Sequence, residues 1–117
     1  MSILALVPLL LVALLHLWFL VLEMFLWTTP RAMRIFGTTP ETAASSRVLA
    51  ANQGLYNGFL VAGLLWAALS ARHDVALFFL GCVFVAGVYG AWSTRKPRIF
   101  LVQSVPALIA VAALRFA

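Results

Sequence analysis

Four long apolar blocks constrain this chain more than any other feature: Ile3 to Trp27, Val48 to Leu69, Val75 to Trp92 and Ile99 to Leu114. A bilayer-crossing helix needs about 20 largely apolar residues, and a block of about 18 or more is a strong candidate. The blocks show neither two-residue alternation nor an amphipathic stripe. The fourth is short, but the Arg115 stem can snorkel and extend its reach. We expect an all-α membrane protein, a bundle of four transmembrane helices spanning about 3–27, 48–69, 75–92 and 99–114. Only 9% of the residues are charged, against about a quarter in a soluble domain. The blocks occupy most of the sequence, so a single domain is expected over residues 1–117, with no soluble domain or disordered tail.

The first block reads as a permanent span rather than a cleaved signal. No Lys or Arg precedes it, it is too long, and no small-x-small site ends it. It ends at Trp27, an interface residue type. Cys82 is the sole cysteine; it cannot form an internal disulfide and suits packing as a small hydrophobe.

The formal charge of +5 excludes little until the basic residues are placed. Arg31, Arg34 and Arg47 lie between blocks one and two, and Arg95, Lys96 and Arg98 between blocks three and four. The opposite side has only Arg72 and Arg115. That is a positive-inside bias. It puts loops 28–47 and 93–98 in the cytoplasm and leaves both termini non-cytoplasmic. The expected location is a bacterial inner (plasma) membrane. The charge is accounted for by topology and anionic lipid, so no nucleic-acid partner is expected.

Local signals mark the connections. Pro30 disfavours helix in the residue before it, so Thr28-Thr29-Pro30 should stop the first helix. RAMRIFG then reads as a short basic-amphipathic turn closed by Gly37. Thr38-Thr39-Pro40-Glu41 is a helix start, with a Thr cap, Pro in the first turn and an acid at the positive end. The second helix is therefore expected to begin near Pro40 and enter the membrane around Val48. Ser70 to Asp74 should form a tight turn, and Ser93 to Arg98 a short basic one. Trp27-Thr28-Thr29 with Arg34-Ile35-Phe36 also echoes Trp92-Ser93-Thr94 with Arg98-Ile99-Phe100. That echo fits either a duplicated hairpin or the common use of Trp, Ser/Thr and Arg at membrane exits.

The polar residues inside the blocks are the candidate functional ones. At about 1.5 Å rise per residue, Glu23 lies roughly 6 Å inside the cytoplasmic boundary. Asn52 and Gln53 enter to a similar depth on the second helix, Tyr89 precedes Trp92 on the third, and Gln103 follows Arg98 on the fourth. Each helix thus offers a polar side chain at about one height. Glu23 is the only acid within a span, and such groups usually face the protein interior, paired or protonated. His16 lies on the same face, about 10 Å deeper. Asn52 and Tyr56, and Gln53 and Asn57, are four apart and form two adjacent stripes on one broad face. The candidate ligand-binding set is Glu23, His16, Asn52, Gln53, Tyr56, Asn57, Tyr89 and Gln103.

A structural reading of the same residues stands beside this one. Interhelical hydrogen bonds act as glue in membranes, at roughly 0.6–2 kcal/mol each. Gly54 and Gly58, and the small residues Ala86, Gly87, Gly90 and Ala91, allow close helix approach within or between chains. No metal site is expected, because one His and one Glu do not make one, and no cofactor motif is present. Ser-His-Asp, phosphate-loop and CxxC patterns are absent from the sequence. Trp18, Trp27, Trp66 and Trp92 read first as interface anchors.

The stretches EMFLWTTPRAMRIFG (Glu23 to Gly37), LAANQGLYNGF (Leu49 to Phe59), FFLGCVFVAGVYGA (Phe78 to Ala91) and QSVPA (Gln103 to Ala107) together resemble one family. It is the small bacterial and fungal membrane family catalogued as domain of unknown function 1304. The resemblance covers nearly the whole chain. It implies four transmembrane helices and no established activity.

Three functions fit these observations. The first is binding or transport of a small molecule or lipid, with Glu23 exchanging a proton for a polar or cationic solute. Small multidrug exporters are similar in architecture, but their motifs are missing and they often lack such a charge bias. The second is an enzyme acting on a lipid or isoprenoid-like substrate, with Glu23 or His16 as the acid–base group. The third is an accessory subunit of a larger membrane complex. A homo-oligomer is compatible with all three, and the lipid bilayer is the common partner.

Overall fold

The computed structural model describes residues 1–116 and is all-α. Six helices follow in order: α1 (Ile3–Met24), α2 (Pro30–Phe36), α3 (Pro40–Ser45), α4 (Arg47–Ser70), α5 (His73–Thr94) and α6 (Pro97–Phe116). Four of them, α1, α4, α5 and α6, are long and apolar enough to cross a membrane.

Contacts divide the chain into two compact units, residues 15–59 and residues 1–14 with 60–116. In the unit 15–59, α1 stops at Met24, short of Trp27 where the apolar block ends. Its last turn closes when the Phe25 and Leu26 N–H groups both donate to the Val21 carbonyl, at 3.0 and 3.2 Å. Thr29 therefore does not terminate α1; it caps α2, its side chain accepting from the Ala32 N–H with Pro30 in the first turn. Gly37 ends α2 at φ 69°, a left-handed position that glycine adopts without a Cβ clash. Thr39 caps α3 in the same way as Thr29 caps α2. The helix expected to run from Pro40 into the membrane is instead broken at Ser46 (φ −101°, ψ 6°), and α4 starts at Arg47. Ser46 earns that break a use: its hydroxyl donates to the Thr42 carbonyl at 2.6 Å and accepts from Trp27 Nε1 at 3.1 Å. Trp27 also stacks at a tilt on Phe36, 4.9 Å between centroids, so it braces this segment as well as suiting an interface.

The other unit is built on an apolar core of Ala5, Leu9, Val12, Ala13, Leu64, Ala67, Val75, Ala76, Leu80, Val83, Ala107, Ala110 and Leu114. The turn between α4 and α5 passes through Ala71 at φ 52° and is fastened by an Arg72–Asp74 ion pair of 2.6 Å. That exposed pair adds little stability. The α5–α6 turn uses Arg95 at φ 57°, with the Lys96 N–H donating to the Ala91 carbonyl. Helix α6 is longer than the apolar block Ile99 to Leu114, and it contains a π-helical turn at Phe100–Ser104.

Pro106 explains that turn. It has no N–H, so the Val102 carbonyl loses its usual donor four residues on. The Val105 N–H donates instead to the Phe100 carbonyl, five residues back. Such single-turn expansions recur where a helix must accommodate a local mismatch. The two basic exits that echo each other in sequence also differ in structure: Trp92, Ser93 and Thr94 remain in α5, whereas Trp27, Thr28 and Thr29 lie outside α1.

Candidate functional site

The candidate site is a carboxyl–amide pair in the unit 15–59. Glu23 comes from the last turn of α1 and Asn57 from the third turn of α4. Asn57 Nδ2 donates to Glu23 Oε1 at 2.5 Å. Both side chains are withdrawn, at 7% and 8% exposure. A carboxyl buried without a partner would be costly; here an amide supplies the hydrogen bond.

Gly54 makes that contact attainable. A Cβ there would stand 2.5 Å from Met24 Cγ, 3.2 Å from Glu23 Cβ and 3.2 Å from the Leu20 carbonyl oxygen. One turn later, a Cβ on Gly58 would meet Leu20 Cδ1 at 2.9 Å. The glycine pair is therefore spent within the chain, on α1. Close approach at Gly54 brings the next turn of α4 within reach of Glu23, and Asn57 fills that position.

The remaining candidates are distributed differently from the sequence expectation. His16 is fully buried and meets Phe19 edge-on at 5.3 Å. It sits seven residues before Glu23, roughly 10 Å along the helix, so the two are not one cluster. Asn52, Gln53 and Tyr56 are exposed; Asn52 and Tyr56 lie toward the outer side of α4, whereas Gln53 lies about 40° from Asn57, at the edge of the buried side. Of the two adjacent stripes on that broad face, only Asn57 is turned inward. At about 100° per residue, Asn52 lies about 140° and Tyr56 about 100° around the helix from Asn57. Asn52 Nδ2 donates to the Val48 carbonyl of its own helix at 2.9 Å.

Tyr89 and Gln103 belong to the other unit. Tyr89 is exposed and packs at a tilt beside Trp92, 6.0 Å between centroids. Gln103 is half-buried within the π turn, and its Cβ lies 3.0 Å from where a Gly87 Cβ would be.

Two further features were not singled out from the sequence. Ser104 is completely buried, and its hydroxyl donates to the Phe84 carbonyl at 2.9 Å. The signal that could have found it was Pro106, two residues on, which forces the π turn that turns Ser104 toward α5. The second is the cation–π contact of Arg31 over the Trp18 ring, 5.7 Å from its centroid. It ties a loop cation to the indole and gives Trp18 a partner within the chain.

No group of three or more His, Cys, Asp or Glu that could hold a metal occurs among the described residues. A shallow cleft lined by Trp66, Asp74, Val75, Phe78 and Phe79 lies at the α4–α5 turn, within the unit that lacks Glu23. With one carboxyl and one amide beside the close helix approach at Gly54, the Glu23–Asn57 pair can accept and donate hydrogen bonds.

Comparison with known proteins adds identity without activity. An uncharacterised protein of Lactococcus lactis subsp. lactis, YpaA, is 32% identical over 115 residues, covering 95% of this chain and 96% of the relative. No solved structure matches. The model of the family described as protein of unknown function (DUF1304) matches residues 10–115, and the chain belongs to that family.

Proposed function

We propose that the chain is an integral membrane protein that binds a polar small molecule or a lipid head group at Glu23, next to the cytoplasmic face. Both termini then lie on the non-cytoplasmic side of a bacterial plasma membrane. The six-to-two distribution of basic residues between the two sides supports that orientation. The observation that carries the binding reading is the inward-turned Glu23 carboxyl, held by a neutral amide rather than neutralised by a cation. An ionised carboxylate offers about four acceptor positions over two oxygens, and Asn57 uses one. A ligand ammonium or hydroxyl at the remaining positions would gain a charge-assisted bond in a low-dielectric setting.

A second reading treats the pair as an interhelical clamp. The tight seating of Gly54 against Glu23 Cβ and Met24 Cγ favours it. One substitution separates the two. Glu23→Gln keeps an acceptor for Asn57 and the shape of the side chain, but removes the negative charge. Wild type and Glu23→Gln are purified from the same membranes and compared by native mass spectrometry, with thermal unfolding measured in parallel. Binding predicts a molecule retained by wild type and lost from Glu23→Gln at unchanged stability. If both variants carry the same complement, the binding reading is wrong and the clamp stands.

A further inference from the structure

The outer side of α4 presents a second pattern that the Glu23–Asn57 pair leaves unused. Leu49, Asn52, Tyr56 and Phe59 follow one another at intervals of three, four and three residues. That is the spacing of a helix–helix seam. All four are open to the surroundings: Leu49, Tyr56 and Phe59 are 74%, 59% and 57% exposed, and Asn52 is exposed beside Gln53. The Tyr56 and Phe59 rings already lie together, 6.0 Å between centroids.

Polar groups on an outward face of an apolar helix need an explanation. Asn52 uses one Nδ2 hydrogen on the Val48 carbonyl, 2.9 Å away. Its second Nδ2 hydrogen and its Oδ1 are left for another acceptor and donor. Gln53 adds an amide one residue on. In hydrocarbon such groups gain most from a partner of the same kind, since an amide both donates and accepts.

We propose that this face is the interface of a parallel homodimer, in which Asn52 of one copy pairs with Asn52 of a second copy across α4. Three observations select a second copy over another occupant. The amides are self-complementary. The basic-residue asymmetry inserts every copy the same way up, so a two-fold axis along the membrane normal sets Asn52 against Asn52 at equal depth. Arg47 lies two residues before Leu49, about 200° away around the helix, so the seam brings no like charges together. One amide in a seam of aliphatic and aromatic residues is a known device for fixing register and copy number. This inference concerns the face of α4 opposite its buried side and stands apart from ligand binding at Glu23.

The test uses the full chain in liposomes. In a Cys82→Ser background, Leu49→Cys is expected to give a disulfide-linked dimer on mild oxidation, whereas Leu101→Cys, exposed on α6, should not. Energy transfer between labelled copies, titrated against lipid, gives the dimer dissociation constant. Asn52→Leu should raise it on the order of tenfold, and Asn52→Gln should largely restore it. Circular dichroism and thermal unfolding report whether each variant is folded; because Asn52 points outward, neither should change. A monomer at every protein-to-lipid ratio, a dimer joined through Leu101→Cys instead, or a dimer indifferent to Asn52→Leu would each overturn the proposal. The first of these outcomes would leave lipid head groups or a different protein as the partner of the amides.

Discussion

The two units solve one problem in opposite ways. Each has a glycine that lets two long helices approach closely, and each seats a buried polar side chain beside it. In the unit 15–59, Gly54 admits α1 and the polar group bonds side chain to side chain, Asn57 to Glu23. In the unit containing α5 and α6, Gly87 admits Ser104, whose hydroxyl bonds to a backbone carbonyl, that of Phe84. The first arrangement leaves its helices regular. The second requires a π turn in α6. A hydroxyl on a carbonyl that already serves its own helix is a closed arrangement with little to exchange. A carboxyl held by one amide keeps further hydrogen-bonding capacity. The difference separates a packing contact from a candidate site, although both look like a small residue next to a polar one.

The comparison is most exposed at the glycines. A Cβ on Gly87 would run into Ser104 Oγ and stand 2.9 Å from the Ser104 backbone nitrogen, which cannot swing aside. The nearest atom to a Cβ on Gly54 is Met24 Cγ, part of a flexible chain. Gly87→Ala should therefore cost about 3 kcal/mol, the upper part of the range for overpacking, and Gly54→Ala about 1 kcal/mol. Thermal or denaturant unfolding in one detergent measures both. Equal costs would mean that the rigidity of the α5–α6 contact is overstated.

Next in size is the pair itself. Asn57→Leu removes the donor and leaves the Glu23 carboxyl buried, so it should destabilise by about 2 kcal/mol. Replacing both partners, Glu23→Leu with Asn57→Leu, should recover most of that loss, because two apolar groups leave nothing unsatisfied. If the double variant is as unstable as the sum of the two single ones, the pair is not an isolated interaction and other groups share Glu23.

Much of this is legible in the sequence. Block length alone located the four long helices, because the hydrocarbon requirement leaves few alternatives. The caps at Thr39 and Gly37 were equally readable, since local chemistry decides them. What failed was orientation around the helix. Asn52, Gln53, Tyr56 and Asn57 fall within six residues, and polarity alone does not say which of them face inward. In a soluble helix the apolar stripe would settle that; in α4 both faces are apolar, and the informative signal is the small residue. Gly54 and Asn57, one turn apart, share the inward side. Trp27 lies outside α1 for a related reason: its size and apolar ring fit a span, while its Nε1 donor fits the Ser46 hydroxyl. The π turn is legible in QSVPA only when Pro106 is read as a missing backbone donor.

The smallest expected effect lies at Ser104, and it is the sharpest check on the comparison. Ser104→Ala deletes one oxygen atom from a fully buried position and changes no helix propensity for the worse. The Phe84 carbonyl lies within α5 and keeps its intrahelical partner, so no buried group is left unpaired. Measured interhelical hydrogen bonds in membranes average about 0.6 kcal/mol, and Ser104→Ala should cost about that much under the conditions that give about 2 kcal/mol for Asn57→Leu. The π turn should persist, because Pro106 rather than the hydroxyl imposes it. Restoring the backbone donor with Pro106→Ala is the counterpart: it permits a regular α turn and would rotate residues 100–104 relative to the remainder of α6. If Ser104→Ala proves as damaging as Asn57→Leu, then the hydroxyl holds α6 against α5. The contact would then be a polar clamp like the other, and the contrast between the two units would disappear.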